Sequence, residues 1–412
     1  MKATTISFFG NFGTQNFGNE YTLQAILHNV RKYLPDAKVN CICTDPRDVS
    51  IRHGMPAFLM SSRYARARPA RGPDHSIIRW LRRLLVRAPL ELLEWFKAFR
   101  TLKGTTMLVM TGTGMLGDFG IGPFDLHYEI LKWSLLAKLR GSRVLFVSVG
   151  AGPISHPLSR RIVKWAVSLA DYRSYRDSFS KEYLASIGFD THGDFVYPDL
   201  AFSWAPATRG PSNRKGGSLV VGLGLMDYYG KGSTKDYSEE VYQRYLERAA
   251  DFAGWLLERH YTVRLLIGDF SYDTRIKRDL LNRLKERGVK NQDGQIVDEP
   301  VSSAEELLAQ LAGTDVVIAT RFHNLLLALM LNKPVIALSY HEKIASLMSG
   351  VGMAEYCQSI DRLEPKRLVE QFLELERNIE TVKPIIERKV EEYRSALDQQ
   401  YARIFNRSGG PR

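Results

Sequence analysis

Cysteine is scarce in this chain. Cys41, Cys43 and Cys357 are the only three in 412 residues, too few for a fold stapled by disulfides. Cys41-x-Cys43 lies in an apolar run, lacks the spacing of a metal site, and has no second Cys or His pair nearby. Long hydrophobic runs are missing too: none reaches the roughly 18 residues that a membrane-crossing helix needs. The N-terminal Met-Lys-Ala-Thr-Thr-Ile-Ser-Phe-Phe-Gly is too short in its apolar part for a signal peptide and reads as a first strand. These absences point to a cytoplasmic protein. Negative charge is in deficit, with 45 Asp and Glu against 57 Lys and Arg, a net charge of +12.

That surplus is local. Residues 61–103 hold eleven Lys or Arg against Asp74, Glu91 and Glu94. Within them, His75 to Lys97 mixes tryptophan, leucine and arginine at near-helical spacing, as in a helix lying on the inner, anionic face of a membrane. The alternative is an ordinary surface helix that packs Ile77, Trp80, Leu84 and Leu85 on the core. No nucleic-acid-binding motif accompanies the charge, so no nucleic acid is expected as a partner.

With 44% hydrophobic residues the chain can fill two cores, and its strands and helices alternate. Thr5 to Phe9 reads as a strand, followed by the loop Gly10 to Glu20 and a helix from about Tyr21 to Tyr33. After Val39 to Thr44 and the basic insert, Met107 to Thr111 leads into Gly112-Thr-Gly-Met-Leu-Gly117-Asp118. Val144 to Val149 ends in Gly150-Ala-Gly152-Pro153, and Tyr172 to Tyr175 precedes Arg176-Asp-Ser-Phe-Ser180. Composition changes between Trp204 and Gly217, which is the best domain boundary. A second series starts at Ser218. The expected architecture is α/β, two Rossmann-like, doubly wound domains facing across a cleft: residues 1–205 on the acceptor side with the insert 61–103, and 217–364 on the donor side. Residues 365–412 form a charged helical tail, broken near Pro384, that braces the domains.

The most informative stretch is Asp315-Val-Val-Ile-Ala-Thr-Arg321-Phe-His323, then a helix-like apolar run, then Pro334-Val-Ile-Ala-Leu-Ser-Tyr340-His341-Glu-Lys343. In a βαβ unit the two strands run parallel, so Arg321, His323, His341 and Lys343 leave the same edge, where open α/β sheets bind ligands. Cations and histidines at one edge suit an anionic substrate and proton transfer. Arg176 suits a bidentate grip on carboxylate or phosphate, or else an ion pair with Asp177. Asn16, Asn19, Glu20 and Asp118 could bind sugar hydroxyls. The other reading makes Asn19 a helix cap and the second loop a packed turn. Neither glycine loop matches a P-loop or a convincing dinucleotide fingerprint.

Taken together, Asn16-Phe-Gly-Asn-Glu20, Thr111-Gly-Thr-Gly-Met-Leu, Val149-Gly-Ala-Gly-Pro153, Arg176-Asp-Ser-Phe-Ser180, Tyr197-Pro-Asp199 and the Arg321-x-His323 to Tyr340-x-x-Lys343 pair resemble the polysaccharide pyruvyl transferases over nearly the whole chain. The first loop is longer than that family's usual Gly-Asp-Glu form, Asn19 stands where an Asp often does, and the insert is large. The resemblance implies a glycosyltransferase-B-like fold and transfer of a pyruvyl unit from phosphoenolpyruvate, as co-substrate, to a sugar or lipid-linked oligosaccharide. It makes Arg176, Arg321 and Lys343 the anion clamps, His323 the general acid and His341 its reserve, with no cofactor and no metal. A nucleotide-sugar glycosyltransferase and a non-catalytic, membrane-docked scaffold are the alternatives.

Overall fold

A computed structural model describes residues 4–14, 16–62, 77–118, 121–204, 218–230, 238–268, 270–289 and 294–405; for 77–88 and 270–272 it describes the backbone only. The chain forms two compact units. The first comprises Met1–Thr14, Asn29–Arg176 and Ser180–Val196, and the second comprises Gln15–His28, Asp177–Phe179 and Tyr197–Arg412.

The first unit is built on seven strands: β1 (Thr5–Phe9), β2 (Lys38–Cys43), β3 (Ala57–Leu59), β4 (Met107–Thr111), β5 (Arg143–Val149), β6 (Tyr172–Tyr175) and β7 (Phe195–Val196). All neighbours pair in parallel, in the order β3-β2-β1-β4-β5-β6-β7. A parallel sheet covered on both faces needs strands that are apolar throughout. Phe8, Val109 and Phe146 are accordingly fully buried. The helices are α1 (Phe17–Tyr33), whose part up to His28 belongs to the second unit, α2 (Pro46–His53), α3 (Ile77–Thr101), α4 (Leu126–Leu139), α5 (Pro157–Ser168) and α6 (Ser178–Ser186).

In the second unit, β8 (Val220–Gly224), β9 (Thr262–Leu266), β10 (Ile296–Val297), β11 (Val316–Ala319), β12 (Val335–Ser339) and β13 (Cys357–Ser359) form a parallel sheet in the order β10-β9-β8-β11-β12-β13. Its helices are α7 (Glu239–Glu258), α8 (Phe270–Glu286), α9 (Ala304–Ala312), α10 (Phe322–Met330), α11 (Glu342–Gly350), α12 (Pro365–Arg377) and α13 (Ile379–Phe405). In each sheet the winding reverses once, between β1 and β4 and between β8 and β11. Those reversals open crevices at the strands' C-terminal ends.

The C-terminal helices break at Asn378, not near Pro384. The Asn378 N–H closes α12 on Glu374 and Leu375, and its carbonyl accepts from Thr381 and Val382 to start α13. Pro384 lies inside α13, where its ring nitrogen forgoes one backbone hydrogen bond. Helix α13 packs on the short turn Leu200–Ser203, with Phe202 against Tyr393 and the Ser203 hydroxyl 3.2 Å from that of Tyr401. Among the described residues no helix is long and apolar enough to cross a membrane.

Candidate active site

In the second unit the chain leaves β11 at Ala319 and turns into α10 with Arg321 as the N-cap residue. His323 therefore stands on the first turn of a helix that starts two residues before the expected apolar run. Arg321 is held by Asp273, whose side chain is fully buried. Its Nε lies 3.1 and 3.0 Å from the two carboxylate oxygens, and Nη2 lies 2.5 Å from Oδ1. The Gly268 N–H donates to the same carboxylate at 3.2 Å. A Cβ on Gly268 would lie 2.8 Å from Arg321 Cγ, so only glycine lets the arginine sit there. A buried carboxylate gripping one edge of a guanidinium fixes its plane and aims it.

The His323 ring meets Phe322 edge-on, with centroids 5.1 Å apart, and packs directly over the backbone of Gly18. A Cβ on Gly18 would lie 1.8 Å from Nδ1. The glycine of Asn16-Phe-Gly-Asn-Glu20 is thus the floor under the imidazole. Asn16, not Asn19, caps α1: its carbonyl accepts from the N–H groups of Asn19 and Glu20, and its Oδ1 from that of Asn19. The helix begins at Phe17, one turn ahead of the expected Tyr21, which leaves Asn19 half-buried and Glu20 buried on its first turn. Both lie inside a helix, not in an open loop.

Lys343 stands on the first turn of α11, its Nζ 5.2 Å from the Tyr340 ring centroid and 6.0 Å from that of Phe322. Phe322 thus stands perpendicular to the His323 ring and has the Lys343 cation over its own ring. His341 caps α11: Nδ1 accepts the Lys343 N–H at 3.2 Å. That bond commits Nδ1 as an acceptor and leaves the proton of the neutral ring on Nε2. Beside Arg321, Asn324 is fully buried, and neither atom of its carboxamide has a hydrogen-bond partner among the described residues.

In the first unit the two glycine motifs are zipped together. Gly150 N–H donates to Thr113 at 3.0 Å, Leu116 N–H to Gly150 at 3.1 Å, and Gly152 N–H to Leu116 at 3.1 Å. The Arg176 guanidinium lies flat on Gly150, where a Cβ would come within 2.7 Å of Cζ and Nη2. Ser180 joins the same edge by accepting the Ala151 N–H at 3.0 Å. Asp118 Oδ2 accepts both the N–H and the hydroxyl of Ser155, each at 2.5 Å, so it ties two loops together. Asp125 likewise accepts the Gly122 N–H at 2.8 Å. Fully buried His127 donates from Nε2 to the Gly117 carbonyl at 3.1 Å. Burial pushes its pKa below the ordinary histidine value, against that hydrogen bond and the nearby Asp118 and Asp125.

The second unit brings together Arg321, His323, His341 and Lys343 with the Asn16–Glu20 segment, while Arg176 and Asp118 belong to the first unit. Sequence reasoning missed Asp273 and Asn324. Asp273 had one legible signal, a carboxylate opening the helix after a strand's C-terminal end.

Solved structures share this architecture at low identity. A glycosyltransferase from Rickettsia africae superposes with a TM-score of 0.61 at 10% identity, covering 99% of this chain and 100% of that one. Anabaena HepE, solved with UDP and glucose, gives 0.59 at 14% identity, with 98% and 99% covered. UDP-GlcNAc 2-epimerase from Neisseria meningitidis, bound to UDP-GlcNAc, gives 0.57 at 12%, with 96% and 100% covered. These likenesses establish a glycosyltransferase-B-like fold of two parallel-sheet α/β units. No curated protein matches in sequence. The sequence profile of the polysaccharide pyruvyl transferases matches residues 16–342, a span that takes in Gly18, Arg176, Asp273, Arg321 and His323, and the chain belongs to that family.

Proposed function

We propose that the protein transfers a pyruvyl group from phosphoenolpyruvate to a sugar of a polysaccharide or its lipid-linked precursor, forming a pyruvate ketal. The observation that carries this reading is the placement of Arg321, His323 and Lys343 at the N-terminal ends of α10 and α11, behind parallel neighbours β11 and β12. Phosphoenolpyruvate carries a carboxylate and a phosphate. Arg321, aimed by Asp273, and Lys343 supply the cations, and helix N-termini favour the same charges. Arg176, in the first unit, is assigned to anion binding on its chemistry and on the family pattern.

His323 is the general acid. Its proton goes to the methylene carbon of phosphoenolpyruvate, which makes C2 electrophilic. A sugar hydroxyl adds there and returns its proton to the imidazole. A second hydroxyl of the same sugar then bonds to C2 as the bond to the phosphate oxygen breaks, and inorganic phosphate leaves with the remaining proton. Incubation with phosphoenolpyruvate and candidate acceptors, followed by phosphate release and by NMR of the sugar, tests this. A ketal methyl signal formed in step with phosphate supports it; phosphate release with an intact vinyl group on the sugar means an enol ether instead.

One alternative has a specific observation behind it. The fold is shared with proteins solved with UDP-containing ligands, so nucleotide-sugar transfer is the competing reading, separated by which donor binds.

A further inference from the structure

Helix α3 presents two unlike sides in its described C-terminal half. One side is anchored to the first unit. Ala98 is buried, and Leu102 just beyond the helix is fully buried. The Trp95 indole donates to the Tyr128 hydroxyl at 2.8 Å, and that hydroxyl donates to Glu91 at 2.7 Å. Burial pushes the Tyr128 phenol up to about 12, so it stays a donor. Lys132, itself buried, lies 2.7 Å from Glu129 and 3.6 Å from Glu91. Arg140 donates to the Phe99 carbonyl at 2.9 Å and stacks 3.5 Å above that residue's ring.

The other side is bare and apolar. Leu92, Leu93 and Phe96 are 71%, 54% and 58% exposed on adjoining turns. Their charged neighbours are cationic: Lys97 is 71% exposed and the Arg100 guanidinium lies over the Phe96 ring. Of the two acids of this half, Glu91 is spent on Tyr128 and Lys132, while Glu94, largely buried, binds the Ser62 N–H and pairs with Lys97, which leaves Arg100 as the cation on this side that no acid of the helix offsets. The preceding stretch of the same helix adds Arg79, Arg82, Arg83 and Arg87 in sequence. The residues Ile77, Trp80, Leu84 and Leu85, on which the competing core-packing reading rests, lie outside the described side chains.

We infer that α3 is an interfacial anchor, its Leu92–Leu93–Phe96 face seated among lipid acyl chains and its basic residues on anionic headgroups. Exposed leucine and phenylalanine beside arginine and lysine, with the acids turned inward, complement that surface in both polarity and charge. The inference is independent of which donor the protein uses.

Co-sedimentation of the full chain with phosphatidylcholine vesicles, with and without about a quarter phosphatidylglycerol, tests it. The wild type is expected to sediment with the anionic vesicles only and to be released by salt. Leu92→Ser with Phe96→Ser should weaken partitioning by about tenfold or more, from the lost burial of two large side chains. Arg100→Glu should weaken it by about fivefold or more, as one basic residue near the surface is reversed. Both variants change exposed groups, so their melting temperatures should match the wild type. Failure of the wild type to sediment with anionic vesicles would overturn the inference. So would equal sedimentation of the double variant, or a dimer that it dissociates without any vesicle binding, which would assign the face to a second copy of the chain.

Discussion

Gly18→Ala isolates the position of His323 from everything else in the site. The added Cβ would lie 1.8 Å from Nδ1, 2.1 Å from Cγ and 2.3 Å from Cε1, whereas ordinary contact begins at 3.4 Å. The ring must retreat by about 1.5 Å, and a misplacement of about 1 Å at a reacting group costs on the order of 10²-fold in rate. Stability should hardly change. Alanine in a helix gains about 0.5–1 kcal/mol over glycine, while an imidazole pushed off its rotamer loses about 0.5–1.5 kcal/mol. Turnover should therefore fall about 10²-fold in a phosphate-release assay, with an unshifted melting curve. Phosphoenolpyruvate affinity should stay within about threefold, because Arg321 and Lys343 are untouched. In a His323→Ala background the obstacle is gone, and Gly18→Ala should add no further loss. Full activity of the single variant, or an equal loss in both backgrounds, would refute a catalytic placement of His323.

Three further outcomes follow. Arg321→Lys keeps the charge but cannot bridge both oxygens of Asp273. Hydrogen bonds to charged groups are worth ~1.5–3 kcal/mol, so calorimetry should find phosphoenolpyruvate bound about tenfold or more weakly. Asn324→Leu replaces a buried carboxamide that has no hydrogen-bond partner among the described residues by an apolar group of similar shape, and its melting temperature should equal or exceed the wild type's. His127 has a folded pKa below its ordinary 6.5, so the folded state excludes a proton that the unfolded chain accepts. Its contribution to stability is full above the unfolded value and is lost as pH falls from there through the lowered folded value. Melting temperature should drop between about pH 7.5 and 5.5, and His127→Gln, which can still donate to Gly117, should flatten that drop.

The legible parts of this fold were those whose physics is local. β1, β4, β5, β11 and β12 are short apolar runs because both faces of a parallel sheet are covered, and that pattern survives in sequence. β7 and β10 span two residues each and carry no periodicity to read. Arg321, His323 and Lys343 were visible because they follow such runs. Asp273 was not, because its link to Arg321 joins residues 48 apart through neighbouring loops of the sheet edge. Asn16 and Asn19 are equally good caps on chemistry alone; the structure selects Asn16 because the helix already begins at Phe17. The tail's break was misplaced for a related reason: Pro384 looked like a stop, yet the burial of Ile386, Val390, Leu397 and Tyr401 along α13 outweighs the one backbone hydrogen bond that the proline forgoes.

The identity of the donor can be read from calorimetric binding of phosphoenolpyruvate. Arg321→Ala would be a poor control, since it strands the buried Asp273 carboxylate at a cost of about 3–5 kcal/mol. Lys343→Ala and Arg321→Lys are better, measured beside a panel of nucleotide sugars. The wild type should bind phosphoenolpyruvate, both variants should bind it far more weakly, and no nucleotide sugar should compete. A nucleotide sugar bound in its place, with phosphoenolpyruvate inert, would rule out pyruvyl transfer and make the protein a glycosyltransferase in chemistry as well as in fold.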